Sequence, residues 1–258
     1  APPVYAILRP ITDRIVERVK AIRAAEPKQE SAEYDTIYPL AQEFLRKARE
    51  RDLDVKFGLA AGIMQAFAMA PISALGAVAM FWILLSLTGN RRTSVLLSLL
   101  YAIATPIFFR TAQLNQNVLA ADFALFAFVL LWRPMSSTEN RPFYFLAGLC
   151  AGWTVVLDYS GIVAVAALSG YALAKWCATE KRNFADLGRF AFGVAICAAV
   201  LMAYQWTSFG NPILPAQSYM PAANFTELGY RGFSLPQFDL LYETAFGIRY
   251  GLFTSAPI

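Results

Sequence analysis

The chain has 258 residues, 57% hydrophobic and only 16% charged, with 20 Phe, 12 Tyr, 5 Trp and a formal net charge of +4. This composition excludes disorder, a collagenous repeat and a disulfide scaffold, and a soluble domain would carry charge on about a quarter of its residues. Residues 9–57 hold 21 of the 40 Asp, Glu, Lys and Arg, so the remainder is oily enough to read as a multi-pass membrane protein.

Residues 1–58 come first. Ile11, Ile15, Val19 and Ile22 recur at helical spacing, as do Ile37, Leu40, Phe44 and Ala48, with charges between them. The pattern predicts two amphipathic helices, lying on the outer membrane face or packed as a hairpin on the protein. A span needs about 20 apolar residues to cross roughly 30 Å of hydrocarbon. Residues 59–87 carry no charge and meet that length, with Pro71 inside the run. Residues 95–109 and 118–132 are shorter and reach it by borrowing polar neighbours. Residues 143–176 are too many for one crossing, since as a helix they would rise about 51 Å. Asp158-Tyr159-Ser160-Gly161 divides them into helices over 143–157 and 162–176. Residues 190–209 complete the set, and a seventh span is expected to begin near Ala245.

The expected fold is all-α, a polytopic transmembrane helical bundle of about six spans, some short, with amphipathic juxtamembrane helices on the outer face. Three regions follow: an outer-face helical segment over 1–58, the bundle over 59–209, and an outer loop over 210–258 leading into a further span. If the loop after Leu87 is inside, so are Arg91, Arg92, Arg133, Arg141, Lys175, Lys181, Arg182 and Arg189. Only Arg110, Arg231 and Arg249 then fall in later outer loops, in the sense of the positive-inside rule. Trp82, Trp132 and Trp176 land near inner ends, and Trp153 and Trp206 near outer ends, as aromatic belts expect.

The chain has no His, and Cys150, Cys177 and Cys197 lack metal-ligand spacing. No metal site is therefore read from the sequence, and histidine acid–base chemistry is excluded. The net charge is spread over loops, which excludes a nucleic-acid face.

The outer side collects the unusual residues. The first outer loop contains Arg110, Asn115, Gln116 and Asn117, and Asp122 follows one turn inside the next span. Ionisable residues at membrane depth are expensive and mark function by default, which singles out Asp122 and Asp158. Each has a plainer reading. Asp158 suits the cap of the helix beginning near Gly161, and Asp122 is close enough to the interface for hydration or for pairing with Arg110. The amides of Asn115, Gln116 and Asn117 suit a sugar site or the cap of the helix starting at Val118. Arg110 and Arg249 match phosphate oxygens bidentately, or snorkel to lipid headgroups.

Six stretches then follow one another in a familiar order: Leu87-Thr88-Gly89-Asn90-Arg91-Arg92, Tyr101-Ala102-Ile103-Ala104-Thr105-Pro106, Leu114-Asn115-Gln116-Asn117-Val118, Gly148 to Asp158-Tyr159-Ser160-Gly161, Ser208-Phe209-Gly210-Asn211-Pro212 and Arg249-Tyr250-Gly251-Leu252-Phe253-Thr254. Over residues 59–258 the chain resembles the GT-C superfamily of polytopic membrane glycosyltransferases, relatives of protein mannosyltransferases and aminoarabinose transferases. The resemblance implies a bacterial inner-membrane enzyme, with 1–58 and 210–258 on the periplasmic side. It would move a sugar from a polyprenyl-phosphate donor to an acceptor at the periplasmic face, with no identifiable cofactor beyond a divalent metal in some members. It implies partners among membrane lipids, the polyprenyl-phosphate-linked sugar and other membrane subunits. The family's catalytic acid is expected before Ala1, because Pro2-Pro3-Val4-Tyr5 looks like the segment just after a Lys-Pro-Pro stretch. Asp158 is the catalytic candidate within the chain. Arg110, Asn115, Gln116, Asn117, Asp122, Tyr159 and Arg249 are the candidate substrate-binding residues. Asn117 stands where relatives often have an acid, and Asp158 where other branches have a Lys. Two rival readings are a non-catalytic subunit of a larger complex with a GT-C-like fold, and a lipid or solute transporter.

Overall fold

The computed structural model describes residues 3–25, 42–43, 46–47, 53–112, 114–132, 143–179, 183–214, 237–248 and 251–255. Every regular element among them is a helix. The chain divides into two compact units, Ala1–Ala74 with Phe109–Asn115, and Leu75–Phe108 with Gln116–Ile258. Three helical runs are long and apolar enough to cross a membrane: Phe57–Thr88, Tyr159–Ala178 and Phe184–Phe209. Gln116–Trp132 and Tyr144–Leu157 are apolar but shorter. The described residues are thus all-helical, and three of their helical runs reach spanning length.

In the first unit, α1 (Pro3–Ala25) packs against α2 (Leu53–Met64). Among its described side chains Thr12 and Val16 are buried, whereas Ile11, Ile15 and Ile22 are exposed. The second amphipathic stretch, Ile37, Leu40, Phe44 and Ala48, lies outside the described residues. A π-helical turn, Gln65–Met69, joins α2 to α3 (Ala70–Thr88). Pro71 explains it. A proline has no N–H, and its ring crowds the carbonyl four residues back, so the turn widens until the Ala70 N–H reaches the Gln65 carbonyl.

The chain leaves α3 through Gly89, whose φ of 63° suits a residue without a Cβ. Asn90 then starts α4 (Arg91–Ile103), its side-chain oxygen accepting from the Arg92 and Thr93 amides at 3.0 and 3.3 Å. Residues 95–109 do not form one helix. Pro106 cannot donate to the turn before it and pushes its predecessor out of helical geometry, so α4 stops and α5 (Ile107–Thr111) begins anew.

The second unit is built around α7 (Tyr144–Leu157), which packs on α6 (Gln116–Trp132), α8 (Ile162–Ala178) and α9 (Phe184–Phe209). The α7–α9 crossing is made by glycines. A Cβ on Gly148 would strike the Phe190 carbonyl, one on Gly152 the Cys197 side chain, and one on Gly193 the backbone of Phe145 and Leu149. Lipid leaves no hydrophobic incentive for helices to meet, so close backbone approach at small residues supplies the packing. The core beside this crossing is likewise fine-grained, with Ala127, Ala147, Ala151 and Ala172 among its buried members.

Polar contacts tie the two ends of this unit. At one end Trp132 donates to the Ser86 hydroxyl at 2.7 Å, Lys175 donates to the Leu131 carbonyl, and Trp176 donates to the Asn183 carbonyl at 3.0 Å. Trp132 and Trp176 therefore sit at the same end, as their placement in the sequence predicts. The start of α6, the end of α7, the start of α8 and the end of α9 make the other end. After Gly210 (φ 72°) and an Asn211 side-chain turn, α10 (Phe238–Phe246) and α11 (Leu252–Ser255) follow. Gly247, near the expected start of a further span at Ala245, has extended ψ and closes α10.

Candidate functional site

The break predicted at Asp158 organises the site. α7 ends at Leu157, and Asp158, with φ −151° and ψ 131°, turns the chain into a 3-10 turn, Tyr159–Gly161, that leads into α8. The Asp158 side-chain oxygen accepts from the Ser160 N–H at 2.8 Å, so the capping role is real. Gly161 is required here because a Cβ would run into Thr154. The fully buried Thr154 hydroxyl lies 2.6 Å from the Ala151 carbonyl and 3.2 Å from the Gly161 carbonyl, pinning the turn to α7.

Capping does not use up Asp158. Its carboxylate is held below the usual range first by the Ser160 hydroxyl and then by the Ser160 N–H, with a further hydrogen bond from the Gln116 side chain. It is ionised at neutral pH, half-buried, and faces a cavity of about 720 Å³. Asn117, Asp158, Tyr159 and Ser160 supply the polar part of that cavity. Apart from Thr154, its remaining wall is made of small apolar residues, including Ala120, Ala121 and Ala124 of α6 and Ala164 and Ala167 of α8. One end can hold hydroxyls while the other accepts hydrocarbon.

Tyr159 also lines a second, apolar cavity of about 300 Å³ with Val155, Ile162, Val194, Leu201 and Ile213. Its hydroxyl accepts a 2.8 Å hydrogen bond from Gln205, which is 3% exposed.

Gln116, Asn117, Asp158 and Tyr159 come together. Arg110 and Asn115 belong to the first unit, where Arg110 is exposed and lies over the Phe109 ring at 5.9 Å, and Asn115 is half-buried. Arg249 is outside the described residues. Asp122 is 1% exposed, inside α6. Its carboxylate occupies the space that a Cβ on Gly76 of α3 would need. Among the described residues no three Asp, Glu or Cys side chains converge as a metal site.

The sequence pattern singled out neither Thr154 nor Gln205. Both are lone polar side chains in apolar helices, a signal of the same kind as a buried charge but weaker. The alanines of the cavity wall carry no signal at all until α6 and α8 are placed beside each other. No family model, no curated protein and no solved structure matches this chain.

Proposed function

We propose that the chain is a GT-C-type membrane glycosyltransferase of about six spans, some of them short, that moves a sugar from a polyprenyl-phosphate donor to an acceptor at the periplasmic face of a bacterial inner membrane. The observation that supports this reading is the two-sided cavity beside Asp158, polar at Asn117, Asp158, Tyr159 and Ser160 and alanine-lined beyond. A lipid-linked sugar has the same division, a hydroxyl-rich head on an apolar chain. In the transfer, the bond from the sugar's anomeric carbon to the donor phosphate breaks, a bond to the acceptor oxygen forms, and the acceptor's proton goes to a base.

Asp158 suits one part of this task better than another. A general base works best with a pKa near the working pH, and hydrogen bonds from Ser160 and Gln116 push this carboxylate the other way. Its fitting role is to accept hydrogen bonds from sugar hydroxyls, with the Asn117 amide beside it. Losing a hydrogen bond to a charged group costs about 1.5–3 kcal/mol, so Asp158→Ala should lower transfer or donor affinity roughly 10- to 100-fold.

The test is binding and turnover by the purified protein in nanodiscs, with polyprenyl-phosphate sugars as ligands. Ala121→Leu and Ala164→Leu fill the apolar wall and should exclude the donor's chain while leaving the fold intact. Donor binding unchanged in both filled variants, or no binding of any polyprenyl-phosphate sugar by the wild type, would overturn the reading.

A further inference from the structure

Helix α1 has two faces with different fates. Thr12 and Val16, one turn apart, are buried, and α1 packs on α2, which runs into the candidate span Phe57–Thr88. On the other side Ile11 is 56% exposed and Ile22 59%, with Ile15 between them. At 100° per residue Ile11, Ile15, Arg18 and Ile22 form one stripe, and Arg14 borders it one turn before Arg18. Ile11, Arg14, Ile15, Glu17, Arg18 and Ala21 line a shallow groove of about 540 Å³ along this face. The sequence of α1 holds five Lys/Arg and two Asp/Glu.

An isoleucine stripe left bare to water would be costly, and α1 packs on a helix that from Phe57 onward belongs to a candidate span. The bilayer is the apolar phase within reach. Arg18 within the stripe and Arg14 on its border, four residues apart and both exposed, present forked donors that phosphate oxygens accept bidentately. We propose that this face of α1 is a docking surface for acidic phospholipid, the isoleucines entering the acyl boundary and Arg14 and Arg18 binding headgroup phosphate. This does not depend on the transferase reading.

Hydrogen exchange of the full chain tests it, in detergent, in phosphatidylcholine nanodiscs and in nanodiscs that also contain phosphatidylglycerol. Exchange over residues 10–22 should slow from detergent to neutral lipid and slow again in acidic lipid. The acidic-lipid increment, on the order of 20-fold for two arginines near an anionic surface, should shrink with added salt. Arg14→Ala with Arg18→Ala should remove that increment and keep the neutral-lipid protection. Ile11→Ser with Ile15→Ser and Ile22→Ser should remove both, while α7 and α9 stay protected as a control for folding. Equal protection in neutral and acidic lipid would overturn the headgroup contact. Equal protection in detergent and lipid would show that protein, not the bilayer, covers the stripe.

Discussion

Gln205, near the end of α9, donates its side-chain amide to the Tyr159 hydroxyl at 2.8 Å, fastening the turn that carries Asp158 to a helix 46 residues further along the chain. The pair is asymmetric, because Gln205 is buried and Tyr159 is only half-buried. Tyr159→Phe leaves a buried amide without this partner and should destabilise by about 1–3 kcal/mol. Gln205→Leu frees a hydroxyl that can turn to water, so it should cost less. Thermal unfolding in detergent of both single variants and the double variant checks the order; equal single losses would refute the asymmetry, and additive losses in the double variant would mean that the bond carries no weight.

A second relationship joins Gly76 to Asp122. A Cβ at position 76 would overlap the buried carboxylate, so Gly76→Ala should destabilise by about 1–3 kcal/mol, the usual range for forcing atoms into a packed site. In an Asp122→Ala background the same change should cost little. A double-mutant cycle on unfolding midpoints measures the coupling; an unchanged penalty in that background would place the clash elsewhere.

These two relationships also mark where the sequence stops being informative. The break at Asp158 was legible because 34 apolar residues cannot be one crossing, and α7 ends at Leu157. The helical class and the clustering of Gln116, Asn117, Asp158 and Tyr159 at one end of their unit followed from the same length arithmetic. The burial of Asp122 is not legible from its own helix, because Gly76, 46 residues away, leaves the space that its carboxylate fills. The helical recurrence of Ile11, Ile15, Val19 and Ile22 is legible, but the period does not say which phase covers them. The apolar run over 95–109 hid a helix end that Pro106 alone announces. Gly148 and Gly152 have the four-residue spacing of a close helix crossing, a legible signal that hydropathy alone passes over.

That crossing yields the third prediction. Gly193 packs against the backbone of Phe145 and Leu149, which cannot move aside as a side-chain end can. Gly193→Ala should therefore destabilise by about 1–3 kcal/mol or more, whereas Gly170→Ala, where a Cβ meets nothing, should be neutral or mildly stabilising. Both residues are helical, so the comparison cancels helix propensity. Equal unfolding midpoints for the two variants would show that α7 and α9 are not in backbone contact.

The last prediction concerns pH. Hydrogen bonds from Ser160 and Gln116 depress the Asp158 pKa in the folded protein below the unfolded value of about 3.9. A depressed carboxylate contributes stability that is fully present above the unfolded pKa and is lost as pH falls through the folded one. The wild type should therefore keep a constant, modest advantage over Asp158→Asn from about pH 8 down to about pH 5, and lose it below about pH 4. If the ionised carboxylate also holds sugar hydroxyls, donor affinity of the wild type should fall over the same acid window, while that of Asp158→Asn stays flat. Unfolding midpoints and donor binding, followed against pH in both proteins, separate the two effects. A stability gap that persists undiminished in acid would mean that Asp158 acts through packing and its amide-like oxygen rather than through its charge.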